Sequence, residues 1–67
     1  MQLIINGKIR DFEAESLTVA ALVAHLELVG KRLAIERNAE IVPRSQFDTT
    51  LLVDGDKLEI VGAVGGG

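Results

Sequence analysis

A chain of 67 residues with a net charge of −3 and no cysteine is one small domain without disulfides or a thiolate metal centre, and its single histidine, His25, cannot form a metal cluster alone. The negative balance argues against a nucleic-acid partner and suits docking on a basic protein surface. No apolar run approaches the ~18–20 residues of a membrane span, and the start of the chain lacks the features of a signal peptide, so a cytosolic location is expected.

Apolar residues make up 48% of the chain and only two residues are aromatic, so the core must be built from Leu, Ile, Val and Ala. Residues 1–13 read as a hairpin. Gln2-Leu3-Ile4-Ile5 is a strand, Asn6-Gly7 is the preferred two-residue type I′ turn, and Lys8 to Phe12 returns. That turn pairs Ile5 with Lys8, Ile4 with Ile9, Leu3 with Arg10 and Met1 with Phe12. Met1, Leu3, Ile5 and Phe12 then share the core face. Ile4 and Ile9 sit together on the other face. They are either an apolar spot for a partner, or are covered by a loop or moved by a bulge.

Residues 16–29 read as the single helix. Ser16 or Thr18 can cap it, and Val19, Leu22, Val23 and Leu26 form its apolar stripe. Gly30 suits the position after its C-terminus. His25 lies on the flank of the stripe as a surface residue. Leu33 to Arg37 is a strand, Asn38-Ala39 a turn, and Glu40 to Val42 a short return stopped by Pro43. Ser45 to Asp48 reads as a turn or one 3₁₀ loop, anchored by Phe47. Leu51 to Val53 is short and extended. Asp54-Gly55-Asp56 is a tight turn rather than a calcium loop, because the EF-hand spacing and its distal glutamate are missing. Lys57 to Val61 alternates as a strand that buries Leu58 and Ile60. One helix over a mixed four- to five-stranded sheet, with the first and last strands adjacent at its centre, is an α+β fold of the β-grasp type. The domain is expected over residues 1–62.

Residues 63–67 are expected to form a glycine-rich tail. Glycine loses the most backbone freedom on ordering and has no side chain to bury, so Gly65-Gly66-Gly67 is a poor way to finish a fold. Such an end is either a linker or frayed terminus, or a thread narrow enough to enter another protein's active site. From Gly62 onward it reaches roughly 20 Å when extended. The chain has no phosphate-binding loop and no Ser-His-Asp or Cys-His set. Any chemistry is therefore done to it, with the carbonyl of Gly67 as the reacting group. A carboxylate is a poor electrophile until it is converted to an acyl-adenylate with ATP. Exchange of one oxygen for sulfur would then give a soft, ionised thiocarboxylate.

Several segments in order carry a resemblance: Asn6-Gly7, Ala34 to Asn38, Ile41-Val42-Pro43-Arg44-Ser45-Gln46-Phe47, Asp54 to Val61, and Ala63 to Gly67. Over its full length the chain resembles the ThiS family of sulfur carriers in thiamine formation. Two departures are Ala39, where that turn often has Gly, and Phe47, where Trp is frequent. The resemblance implies a ubiquitin-like fold with no bound cofactor, whose partner, a ThiF-type enzyme, adenylates Gly67 with ATP. A cysteine desulfurase system supplies sulfur, and thiazole synthase (ThiG) accepts it. On this reading Gly65 and Gly66 thread the channel and Ala63 and Val64 contact its mouth. Ile4, Ile9 and Val61 are the expected docking residues on the body, which is a monomer when free. The chain is then a co-substrate and not an enzyme. The alternatives are a MoaD-like small subunit of molybdopterin synthase, a ubiquitin-like protein modifier, or a non-covalent binding module with an idle tail.

Overall fold

A computed structural model describes residues 1–62 of the chain. Strand β1 (Gln2–Ile5) pairs antiparallel with β2 (Lys8–Asp11), and the register Leu3↔Arg10, Ile4↔Ile9, Ile5↔Lys8 is the expected one, with no bulge. Asn6 and Gly7 have φ of 50° and 84°, the two left-handed residues that a type I′ turn requires. The open end of the hairpin is closed by the Phe12 N–H, which donates to the Met1 carbonyl at 2.8 Å. Leu3 and Ile5 are buried, and Met1 and Phe12 pack against the same core.

The helix α1 (Val19–His25) is shorter than the expected 16–29 at both ends. At its N-terminus, Leu17–Thr18 is a strand, β3, which pairs antiparallel with β6 (Leu51–Leu52) in a small second sheet. That pairing supplies what a short helix lacks. The Val19 N–H donates to the Thr50 carbonyl at 3.0 Å and the Ala20 N–H to the Phe47 carbonyl at 2.9 Å. The Ala21 N–H donates to Thr18 Oγ1 at 3.0 Å, so Thr18 and not Ser16 is the cap.

At the other end Glu27, not Gly30, is the left-handed residue that stops the helix, with φ of 58°. Its N–H donates to the Ala24 carbonyl at 3.1 Å and the Leu28 N–H reaches back to the Val23 carbonyl at 3.0 Å. This pair of bonds is a Schellman motif, and Leu28 packs on the core as that motif usually requires. Gly30 belongs to the next turn, where the Lys31 N–H donates to the Leu28 carbonyl at 3.1 Å.

Strand β4 (Leu33–Arg37) turns through Asn38 and Ala39 into β5 (Glu40–Ile41), and Pro43 ends the return before a 3₁₀ turn at Arg44–Gln46. Strand β7 (Lys57–Gly62) closes the chain of elements. The main sheet runs β2-β1-β7-β4-β5, with β7 parallel to β1 and antiparallel to β4. The last strand therefore lies at the centre, as expected. Leu3, Ile5, Ile35, Leu58 and Ile60 face Val19, Leu22 and Val23 of the helix, and form one core with Leu17, Val42 and Leu52. Burying one such side chain stabilises the fold by about 1.5–3 kcal/mol. The architecture is the expected α+β β-grasp, with the small β3–β6 sheet as an added feature.

Candidate functional site

The central strand β7 ends at Gly62, the residue before 63–67 in the chain, and two contacts define its last described residues. On one side Leu33 of β4 is the register partner of Gly62. On the other side β1 stops at Ile5, and the side chain of Asn6 continues its ladder. Asn6 Nδ2 donates to the Ile60 carbonyl at 3.0 Å, and the Ile60 N–H donates to Asn6 Oδ1 at 2.8 Å. The expected reacting residue, Gly67, and the expected contacts Ala63, Val64, Gly65 and Gly66 lie outside the described residues.

The head of β7 is fixed by Asp56, the one buried charged residue among those described, 5% exposed. Its carboxylate accepts from the Val53 N–H at 2.8 Å, from Arg37 Nε at 2.9 Å and from Asn38 Nδ2 at 3.1 Å. Burial alone pushes this carboxyl up. The hydrogen bonds from Val53, Asn38 and Arg37, together with the charge of Arg37, outweigh it and hold the group below its ordinary value. Asp54 is also occupied, accepting from the Gln2 N–H at 2.7 Å. The Asp54-Gly55-Asp56 turn is thus a structural joint between β1, the β4–β5 turn and β7. Periodicity did not reveal Asp56, because its partners are distant in sequence; the signal was an aspartate directly before an alternating strand.

The outward face of the main sheet carries the three expected docking residues. Alternation with the buried positions and the strand registers put Ile4, Ile9 and Val61 all on that face. Ile9 and Val61 are 66% and 59% exposed, whereas Ile4 is half-buried. They do not form one unbroken stripe, because Lys57 and Glu59 of β7 lie between them. Sequence reasoning passed over the rest of the face. Glu59 is the direct cross-strand partner of Glu36, and Glu36 is in turn opposite Ile41, which is 76% exposed. Two carboxylates in register repel each other, which stability alone does not favour. The face therefore carries the Glu36–Glu59 pair and Lys57 among apolar residues, and a partner with a cationic group opposite the pair and apolar flanks would complement it.

His25 is exposed and packs edge-on against Phe12, with ring centroids 5.6 Å apart. No group of three or more metal-ligating side chains lies together among the described residues, and none of their helices is long and apolar enough to cross a membrane.

Comparison with known proteins bears on the family and the fold. Residues 3–67 match the profile of the ThiS family. The sulfur carrier protein ThiS of Bacillus subtilis is 37% identical over 63 residues, which cover 94% of this chain and 96% of that protein. A thiazole synthase of Paramagnetospirillum magneticum is 51% identical over all 67 residues, and the chain spans only 20% of that protein's length. The crystal structure of the thiamine biosynthesis protein ThiS from Geobacter metallireducens superposes with a TM-score of 0.88 at 38% identity, each chain covered completely. The protein belongs to the ThiS family.

Proposed function

We propose that this chain is the sulfur carrier of thiazole formation in thiamine biosynthesis, with the C-terminal carboxyl of Gly67 as its working group. The observation that carries this reading is the family match over residues 3–67, a span that takes in the terminal glycines, on a body whose central strand runs towards them. A ThiF-type partner joins the Gly67 carboxylate to the α-phosphorus of ATP and releases pyrophosphate. A desulfurase system passes the sulfur of cysteine on as a persulfide, whose terminal sulfur displaces AMP to give an acyl disulfide; a thiol reductant then supplies the two electrons that break the S–S bond and leave the thiocarboxylate. Thiazole synthase takes the sulfur from there. The chain supplies no acid, base or nucleophile of its own to these steps; it presents the group on which they act.

The occurrence of a closely similar stretch within a much longer thiazole synthase supports that enzyme as the acceptor. Joining carrier and acceptor in one polypeptide raises their effective concentration without a new contact. The outward sheet face, with Ile4, Ile9 and Val61 around Glu36 and Glu59, is the surface that docks on the adenylating partner. Gly65 and Gly66 pass through its channel, and Val64 and Ala63 contact the channel mouth.

The test is adenylation by the ThiF-type enzyme with ATP, read as pyrophosphate release. Replacement of Gly66 by Phe abolishes the reaction and leaves the thermal unfolding midpoint unchanged. Adenylation of that variant at the wild-type rate refutes the threading of the tail.

A further inference from the structure

We infer that Asn6 is a positioning residue for the carrier reaction, holding the end of the central strand at the point from which residues 63–67 depart; the inference rests on the carrier reading above. The β1–β7 ladder is short, with register pairs Ile4↔Lys57 and Ile5↔Leu58. Its last backbone bond runs from the Asn6 N–H to the Leu58 carbonyl, at 2.9 Å. Beyond it, the Ile60 N–H and carbonyl point to the same edge, because alternate residues of a strand direct their polar groups to the same side. β1 has ended and its chain is turning away. The Asn6 side-chain amide fills the gap, its Nδ2 donating to the Ile60 carbonyl at 3.0 Å and its Oδ1 accepting from the Ile60 N–H at 2.8 Å. Among the described residues, hydrogen bonding on that edge of β7 stops there, two residues before Gly62.

The turn alone does not explain the choice of Asn. At φ of 50° the backbone accepts Asn, Asp or Gly. Only Asn offers both a donor and an acceptor to Ile60. The consequence is functional because a partner that binds the tail must also fix the strand end from which it leaves. Order already imposed by Asn6 is order the partner does not have to impose.

The experiment uses the full chain, the ThiF-type enzyme and ATP, with Asn6→Gly, Asn6→Asp and a control, Leu17→Val, in the small second sheet. Assays are run where every variant is folded. Asn6→Gly keeps the turn and loses both bonds to Ile60, and Asn6→Asp keeps only the acceptor. The KM for the carrier rises by about three- to tenfold in Asn6→Gly, the range expected for one or two net hydrogen bonds. It rises less in Asn6→Asp, and kcat stays within about twofold, since the chemistry lies elsewhere. Amide exchange at Ile60 accelerates in the same order. Leu17→Val lowers the unfolding midpoint with no change in KM.

An Asn6→Gly carrier with wild-type KM overturns the inference, as does a Leu17→Val carrier whose KM rises equally. Both outcomes leave the carrier reading standing, because the wild-type chain is adenylated in each. A wild-type chain that is not adenylated at all removes that reading, and the inference with it.

Discussion

Arg37 in β4 and Asp56 at the head of β7 are joined by a 2.9 Å hydrogen bond from Nε to Oδ2, and the Asp56 side chain is nearly sealed from water while Arg37 is 30% exposed. The same carboxylate receives the Asn38 amide and the Val53 N–H. Asn38 also reaches the strand itself, its Oδ1 accepting from the Lys57 N–H at 3.0 Å. Asp56→Asn replaces one acceptor oxygen by a donor facing other donors. It should destabilise the domain by about 1–3 kcal/mol, the cost of a buried group left unmatched, limited because Arg37 can turn to solvent. Urea unfolding of the variant measures this.

The pH dependence follows from the same group. Asp56 titrates lower in the folded chain than in the unfolded one, so the unfolded chain takes up its proton first as pH falls. The stabilisation is complete well above the ordinary carboxylate value of 3.8 and is lost as pH falls below it, through the depressed folded value. Unfolding free energies between pH 7 and pH ~2 should therefore be steeper in the wild type than in Asp56→Asn at the acid end.

Of the four non-glycine residues in left-handed backbone among those described, Asn6 and Asn38 are of the type that tolerates it, whereas Glu27 and Ala39 are not. Ala39 has φ of 72° and Glu27 has φ of 58°. The strain is of order 1–2 kcal/mol per residue, offset by the greater freedom glycine has when unfolded. Ala39→Gly and Glu27→Gly should each raise stability by up to about 1 kcal/mol, seen as a higher thermal midpoint. Elsewhere in the core the sign reverses. Leu58→Ala empties a site that is 1% exposed between β1 and β4, and should cost about 2–5 kcal/mol.

On the proposed docking face, stability and binding make opposite demands. Glu59→Gln relieves its repulsion with Glu36 across the strands and should leave stability equal or raised by about 0.2–1 kcal/mol. If this face docks as proposed, affinity for the adenylating partner should fall and its salt dependence should weaken, because the proposed contact loses a carboxylate. Ile9→Ala and Val61→Ala, at exposed positions, should likewise change stability by less than about 0.5 kcal/mol while weakening the complex. Titration calorimetry at two salt concentrations, alongside thermal melts, separates the two effects.

What was legible in the sequence was local. Asn6-Gly7 dictated a turn type and hence the full register of the first hairpin, and the alternation from Lys57 to Val61 marked the central strand with its correct buried face. The helix limits were not legible, because each end is set by something outside the helical pattern. Leu17–Thr18 is held extended by Leu51–Leu52, more than thirty residues away, and Glu27 adopts a backbone conformation that its side chain does not advertise. The same holds for the site. The glycine end announces itself in the sequence, and alternation alone put Ile4, Ile9 and Val61 on the outward face of the sheet. The Glu36–Glu59 opposition and the Asn6–Ile60 clamp arise only when distant strands are brought into register.

The most direct test of the account is the intact mass of the chain after incubation with the ThiF-type enzyme, ATP and a sulfide source. The expected product is heavier by the difference between one sulfur and one oxygen atom, with the change confined to the C-terminal peptide and absent when Gly67 is deleted. A mass that stays unchanged under conditions in which the same enzyme charges another carrier of this family would contradict it.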